Sequence, residues 1–372
     1  MSHAVDRIPV TLLTGFLGSG KTTLLNRLII EPEMANSLVI INEFGSVGLD
    51  HDLIAHSNED DTIVEMSSGC LCCTIKGDLQ KTLRDAPWRY ARDGQRWFDR
   101  VIIETTGLAD PAPIIHTIMA DKALQGQYQL AEIITLVDGI NGAQTLDAQP
   151  EALKQAAVAD TLIVSKTDLA DPKELEALIS RLRVLNPPAS ILLNRPDAPD
   201  TKNLIGGATF NPELKSEQVR EWLNEEAYIG NANAKHGHHH AHDDHAHDHH
   251  HDINRHDDRI QSVCLTLDEP LPVEVFDQWL DLLVTVSGVN MLRVKGLLNL
   301  KEIDKPLVIH GVQHIWHPPA ILPEWPSDDR RSRIVFIMRD MGESDLHKAL
   351  DFVTDRVKRA HLDGKSALQL RS

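Results

Sequence analysis

From Pro9 to about Leu193 the chain alternates between two hydrophobic rhythms. Unbroken apolar runs rich in β-branched residues, "VTLLTG", "LVIIN", "RVIIE", "EIITLVD" and "TLIVSK", are separated by segments such as "KTTLLNRLI" and "DPKELEALISRLRVL", whose apolar residues recur at helical spacing. A short continuous apolar run suits a strand buried on both faces, and the helical period suits a segment laid over it. The pattern predicts an α/β domain with a doubly wound, mostly parallel sheet.

The rhythm stops after "WLNEEAYIGNANAK". His236 to His256 reads "HGHHHAHDDHAHDHHHDINRH", with eleven histidines and almost no apolar residues. Such a stretch cannot bury enough surface to offset its ordering entropy, so a flexible linker is expected. Beyond it "IQSVCLTL", "NMLRVKGLLNL", "KPLVIHGVQHIWH" and "SRIVFIMR" read as strands, and "PVEVFDQWLDLLVTV" and "SDLHKALDFVTDRVKRA" as helices. The expected organisation is a first domain at 1–225, a linker at 226–258 and a smaller α+β domain at 259–372.

A length of 372 residues exceeds the usual single-domain size and agrees with that division. The formal charge of -18 argues against nucleic acid or an anionic membrane as partner, because Lys and Arg hold such surfaces, and makes cations the more natural guests. No run of eighteen apolar residues occurs, and "MSHAVDRIPVTLLTG" lacks a signal-peptide layout, so a cytoplasmic protein is expected.

Three short motifs carry the chemistry. "GFLGSGKT" (Gly15, Phe16, Leu17, Gly18, Ser19, Gly20, Lys21, Thr22), followed by Thr23, fits the phosphate-binding pattern and sits between a strand and a helix, as that pattern requires. Its glycines let backbone N–H groups converge on phosphate, Lys21 reaches the outer phosphates, and Thr22 offers a hydroxyl to Mg²⁺. The first domain is thereby read as a P-loop NTPase. "RVIIETTG" ends a strand with Glu104, suited to holding a Mg²⁺-bound water, and places Gly107 where its N–H can meet a γ-phosphate. "LIVSKTD" ends another with Ser165, Lys166 and Asp168; a carboxylate there accepts guanine N1–H and N2–H while the lysine stem covers the base, which favours GTP over ATP. The bland alternative for "TD" is a helix cap.

"GCLCC" places Cys70, Cys72 and Cys73, three of the four cysteines, within four positions. In a reducing compartment thiols stay free for metal or redox work. Three local thiols, with a fourth ligand from water, histidine or another protein, would hold an exchangeable soft ion such as Zn²⁺ or Cu(I). A Cys70–Cys73 redox pair and plain packing remain alternatives. His236, His238, His239, His240, His242, His245, His247, His249, His250 and His251 form a weak accessory set for Zn, Ni, Co or Cu, or else a solvated spacer. Capture by imidazoles weakens as pH falls through about 6.5. His310, His314 and His317 read as surface or packing residues, and Cys264 as a small buried hydrophobe.

With "TLLTGFLGSGKTTLLN", "INEFG", "GCLCC", "ETTGLADPAPI" and "SKTDL" in this order, and a tail containing "LRVKGLLNL", "LVIHGVQHIWH" and "RIVFI", the chain resembles the CobW-like GTPases, metallochaperones related to those that serve urease and hydrogenase. The resemblance implies that Cys70, Cys72 and Cys73 bind a transition metal, usually zinc, beside the nucleotide. It also makes Asn42 to Gly45 the switch between nucleotide and metal. The chain departs at Ser165, where many GTPases have Asn, and at Ile41 and Ser46, where some relatives carry carboxylates. The resulting expectation is a Mg²⁺-dependent GTPase using Lys21, Glu104 and Gly107 in catalysis, which binds zinc through its C-x-C-C and releases it to a client apo-metalloprotein on hydrolysis. Cobalt handling for cobalamin synthesis, a metal buffer or store with a vestigial nucleotide site, and a redox-regulated nucleotide binder are the alternatives. Co²⁺ or Ni²⁺ as cargo, and monomer or homodimer as assembly, stay open.

Overall fold

The five apolar runs of the first domain pair side by side with two further strands, Ile63–Ser67 and Ser190–Leu193, every pair parallel. The computed structural model describes residues 7–34, 36–43, 63–67, 73–194, 260–288, 290–317 and 319–369, and the chain divides into two units, Met1–Phe210 and Asn211–Ser372. The expected linker at 226–258 lies outside the described residues.

In the first unit the elements are β1 (Ile8–Gly15), α1 (Lys21–Leu28), β2 (Ser37–Glu43), β3 (Ile63–Ser67), α2 (Cys73–Arg89), a hairpin of β4 (Ala91–Arg92) and β5 (Gln95–Arg96), and β6 (Arg100–Thr105). After these come α3 (Ala112–Ala120), α4 (Lys122–Gln125), β7 (Tyr128–Asp138), α5 (Gly142–Ala148), α6 (Pro150–Val158), β8 (Thr161–Ser165), α7 (Pro172–Leu185) and β9 (Ser190–Leu193). The strand order is β3-β2-β6-β1-β7-β8-β9. The chain leaves β1 for β2 and β3 on one side, returns through β6, and continues to β7 on the other, so the winding reverses at β1. Ligands of open α/β sheets bind at the carboxyl ends of strands beside such a reversal.

Helix packing follows from sequence spacing. In α7 the apolar residues Leu178, Leu182 and Leu185 form one buried stripe. Pro172 opens that helix and Asp171 caps it, its carboxylate accepting from the backbone N–H groups of Lys173 at 2.9 Å and Glu174 at 3.2 Å. Leu24, Leu25 and Leu28 of α1 pack with Val39, Ile102 and Ile134 of the sheet. Helix α2 starts at Cys73.

The second unit contains β10 (Ile260–Leu267), α8 (Val273–Ser287), β11 (Met291–Leu300), β12 (Ile303–Val312), β13 (Ile315–Trp316), β14 (Ala320–Ile321), β15 (Ser332–Arg339) and α9 (Glu343–Gln369). Its sheet is antiparallel in the order β10-β15-β11-β12-β13, with β14 also beside β12. Trp279 of α8 is fully buried, edge-on to Phe336 at 5.9 Å, and its indole N–H donates to the Leu346 carbonyl at 3.3 Å, tying both helices to the sheet. The segment "KPLVIHGVQHIWH" is not one strand. It folds back between β12 and β13, with Gln313 at φ 54° in the turn. No described helix is long and apolar enough to cross a membrane.

Candidate functional site

The loop from Phe16 to Gly20 joins the carboxyl end of β1 to the amino end of α1. Gly18 and Gly20 take φ of 74° and 92°, a region that side chains disfavour, so the loop can curl and aim its N–H groups inward. The loop is closed by Ser19 N–H donating to the Phe16 carbonyl at 3.2 Å. Lys21 is almost buried, and its ammonium donates to the same carbonyl at 3.2 Å, across the mouth of the loop.

Two neighbouring strand ends complete the phosphate side. β6 lies beside β1 with Glu104 opposite Leu13, and this register brings the nearly buried Glu104 within 2.9 Å of the Thr22 hydroxyl, which donates to it. Hydroxyl and carboxylate oxygens side by side are a hard-donor pair that fits Mg²⁺. One residue on, the Thr105 hydroxyl donates to that of Thr14 at 2.9 Å, locking β6 to β1. Gly107 presses so closely on the P-loop that a Cβ there would stand 2.5 Å from the Leu17 nitrogen, which explains its lack of a side chain. The phosphate loop and the "ETTG" loop are therefore in contact.

The base side is built from β8 and β7. Ser165 donates its hydroxyl to the Ser19 carbonyl at 2.7 Å, binding the third motif to the first. Lys166, at φ 54°, pairs with Asp138 at 2.6 Å. Burial would raise the Asp138 pKa, but Lys166 and the N–H groups of Asn141 and Ile140 outweigh it and hold the carboxyl below its ordinary range. Asp168 is exposed, and since Asp171 caps α7, Asp168 is not spent as a helix cap.

Sequence reasoning missed Asp138 and Gln155. Asp138 had a signal, an acid at the end of the buried strand "EIITLVD". Gln155 had none: it sits fully buried on α6, where its amide donates to the carbonyls of Gly107 at 3.2 Å and Ala109 at 2.9 Å, clamping the "ETTG" loop from behind. Thr23 is an exposed residue of α1. Cys70, Cys72, the stretch from Phe44 to Gly45, Ser46 and the histidines from His236 to His251 lie outside the described residues, and of Cys73 only its place at the start of α2 is described. Among the described residues no group of three or more potential ligands forms a metal cluster. His310 and His317 lie against one another with ring centroids 3.4 Å apart and planes tilted by 43°, and burial, with His317, Arg293 and Lys295 nearby, keeps the His310 imidazole well below its usual pKa. Cys264 is half-buried, more open than expected, because strand alternation turns it to the face of β10 opposite Val263 and Leu265, which pack in the core.

Fold and site together define a P-loop nucleotide-binding protein with a separate antiparallel-sheet domain. Residues 9–193 match the CobW/HypB/UreG nucleotide-binding domain and residues 260–353 the cobalamin synthesis protein cobW C-terminal domain. Zinc chaperone YjiA of Escherichia coli (strain K12) is 31% identical over 345 residues, covering 93% of this chain and 98% of that protein. Zinc-regulated GTPase metalloprotein activator 1 of Schizosaccharomyces pombe is 35% identical over 193 residues, covering 50% of this chain and 46% of the relative. The crystal structure of Zn(II)-bound YjiA GTPase from E. coli superposes with a TM-score of 0.65 at 25% identity, covering 93% of this chain and 99% of the other. The chain belongs to the CobW/HypB/UreG family and carries the cobW C-terminal domain.

Proposed function

We propose that this protein is a Mg²⁺-dependent GTPase that binds zinc through Cys70, Cys72 and Cys73 and hands it to a client metalloprotein when GTP is hydrolysed. It is a GTPase of the CobW/HypB/UreG family. The observation that carries the reading is the convergence of the P-loop, the Thr22–Glu104 pair at 2.9 Å and Gly107 on one edge of the sheet.

Lys21 exchanges the Phe16 carbonyl for a phosphate oxygen, and the P-loop N–H groups neutralise the outer phosphates. Thr22 and Glu104 hold Mg²⁺, which when bound screens phosphate charge. The Gly107 N–H stabilises charge developing on the γ-phosphoryl group, and Asp168 selects guanine through its paired acceptors. No described side chain is assigned to position the attacking water, so slow turnover without a partner is expected.

Support for zinc comes from the thiols and from relatives named as zinc chaperones. Residues 68–72 join the carboxyl end of β3 to the start of α2, and β3 runs parallel to β1, so both ends of the thiol segment leave from the edge that carries the P-loop. A γ-phosphate that orders this edge alters how the thiols converge, and hydrolysis then changes metal affinity. The histidines from His236 to His251 collect ions for this site. The setting is the cytoplasm, where thiols stay reduced. Zinc titration of protein loaded with GDP or a non-hydrolysable GTP analogue tests the coupling. Different affinities are expected, and identical ones refute it; serine at the three cysteines should abolish tight binding in either state.

A further inference from the structure

The turn that leaves β7 is the mount of the loop that leaves β8. Asp138, the last residue of β7, is nearly buried and stands opposite Ser165 in the parallel pair. Its Oδ1 accepts the backbone N–H groups of Ile140 at 2.8 Å and Asn141 at 3.1 Å, which turns the chain out of the strand. Gly139 donates its N–H to the Ser165 carbonyl at 2.8 Å, and a Cβ there would stand 2.5 Å from that oxygen. The two loops are therefore joined backbone to backbone.

The second oxygen of Asp138 has a different partner. Oδ2 receives the Lys166 ammonium at 2.6 Å, with the Asn141 amide beside it at 3.4 Å. Lys166 holds φ at 54°, the left-handed region that a lysine seldom enters. Strain of this kind persists where surrounding contacts over-determine it, and it gathers at ligand-binding loops. Lys166 also lines a cavity of about 210 Å³ together with Phe16, Leu17, Gly18 and Ser19, so it stands where the phosphate loop and the base loop meet. A lysine left free in water loses much of its rotamer freedom when a ligand settles on its stem. Here the carboxylate has imposed that loss beforehand. Burial raises the Asp138 pKa, but Lys166 and the Asn141 and Ile140 N–H groups lower it further, so the tether is ionised at neutral pH.

We propose that Asp138 is a positioning residue for nucleotide recognition, anchoring the Lys166 ammonium so that the lysine stem is laid out as a platform for the base before the nucleotide arrives. With Lys166 and Asp168 read as the base-binding pair, as in the proposed function, the two carboxylates divide the work. Asp168, through its paired acceptors, chooses the base. Asp138 touches no base and sets only how firmly any base on the platform is held.

The full-length protein is titrated with ribose-labelled fluorescent GDP and inosine diphosphate, whose base lacks the guanine N2–H donors. Asp138→Asn keeps an oxygen for the Ile140 and Asn141 N–H groups but turns an amide donor toward the ammonium. It should weaken both nucleotides by the same factor, about fivefold, and leave their ratio at the wild-type value. Lys166→Met keeps an apolar stem without the tether and should lose about as much. In the Lys166→Met protein, Asp138→Asn should cost nothing more, because the interaction it breaks is already gone. The proposal falls if Asp138→Asn binds GDP as tightly as the wild type, if it weakens the two nucleotides by different factors, or if its loss is undiminished in the Lys166→Met background, which would make Asp138 a turn-forming residue only. Should Asp138→Asn fold poorly, Lys166→Met reports alone, and wild-type affinity there overturns the tether. The wild-type preference for GDP over ADP tests the guanine reading separately, and the double-variant comparison reports on Asp138 whichever base is preferred.

Discussion

Replacing Gln155 by Met keeps the volume of a fully buried side chain but removes the donors to Gly107 at 3.2 Å and Ala109 at 2.9 Å. The buried Gly107 carbonyl left without its donor costs about 1–3 kcal/mol and the part-buried Ala109 carbonyl less, which together come to about 2–4 kcal/mol. For a domain of this size that is a fall of roughly 4–16 °C in the nucleotide domain's melting temperature, the transition that GDP raises. The loop freed from behind is the one that presses Gly107 against Leu17, so its N–H is no longer held toward a γ-phosphate. Fluorescent-nucleotide titrations should therefore show binding of a non-hydrolysable GTP analogue weakened about tenfold more than binding of GDP, which corresponds to about 1.4 kcal/mol. A variant that melts lower yet keeps the wild-type ratio of the two affinities would make Gln155 a packing residue and refute the clamp.

Ser165→Ala loses the hydroxyl bond to the Ser19 carbonyl at 2.7 Å, and guanine-nucleotide affinity measured by the same titration should drop about five- to tenfold. Asp121 caps α4 and is held near a pKa of about 2 by Gln80, by the N–H groups of Leu124 and Ala123 and by Arg84, against a burial contribution that opposes them. Its folded pKa lies below the ordinary 3.8, so its stabilisation is present above about pH 4 and is lost as pH falls toward 2; the stability deficit of Asp121→Ala in urea titrations should shrink over that window. Trp279→Ala removes the largest fully buried side chain among the described residues of the second domain and should cost about 3–5 kcal/mol there, seen as loss of that domain's thermal transition.

Much of the fold was legible because burial on two faces leaves a local signature. "VTLLTG" and "TLIVSK" read as strands since a parallel strand covered by helices has no polar face to interrupt the run. The P-loop was legible for a similar reason: glycines, lysine and threonine needed to curl around phosphate are contiguous, and their flanks identify the strand and helix. "KPLVIHGVQHIWH" misled, because the turn at Gln313 uses neither Asn-Gly nor Asp-Gly and the β-branched rhythm continues through it. The competing reading of "TD" as a cap gave way to Asp171, three residues further on beside Pro172.

The sequence by itself determined the rhythm of elements, the phosphate-binding turn and the presence of three clustered thiols, because each depends on neighbours along the chain. Tertiary structure alone decided that Thr22 reaches Glu104 across 82 residues, that Ser165 ties to Ser19 across 146, and that Gln155 holds Gly107 across 48. Those pairings exist because β6 inserts between β2 and β1 while β7 and β8 follow on the far side. Strand order is a global outcome of packing, and no local pattern of apolar and polar positions encodes which strand ends will face one another.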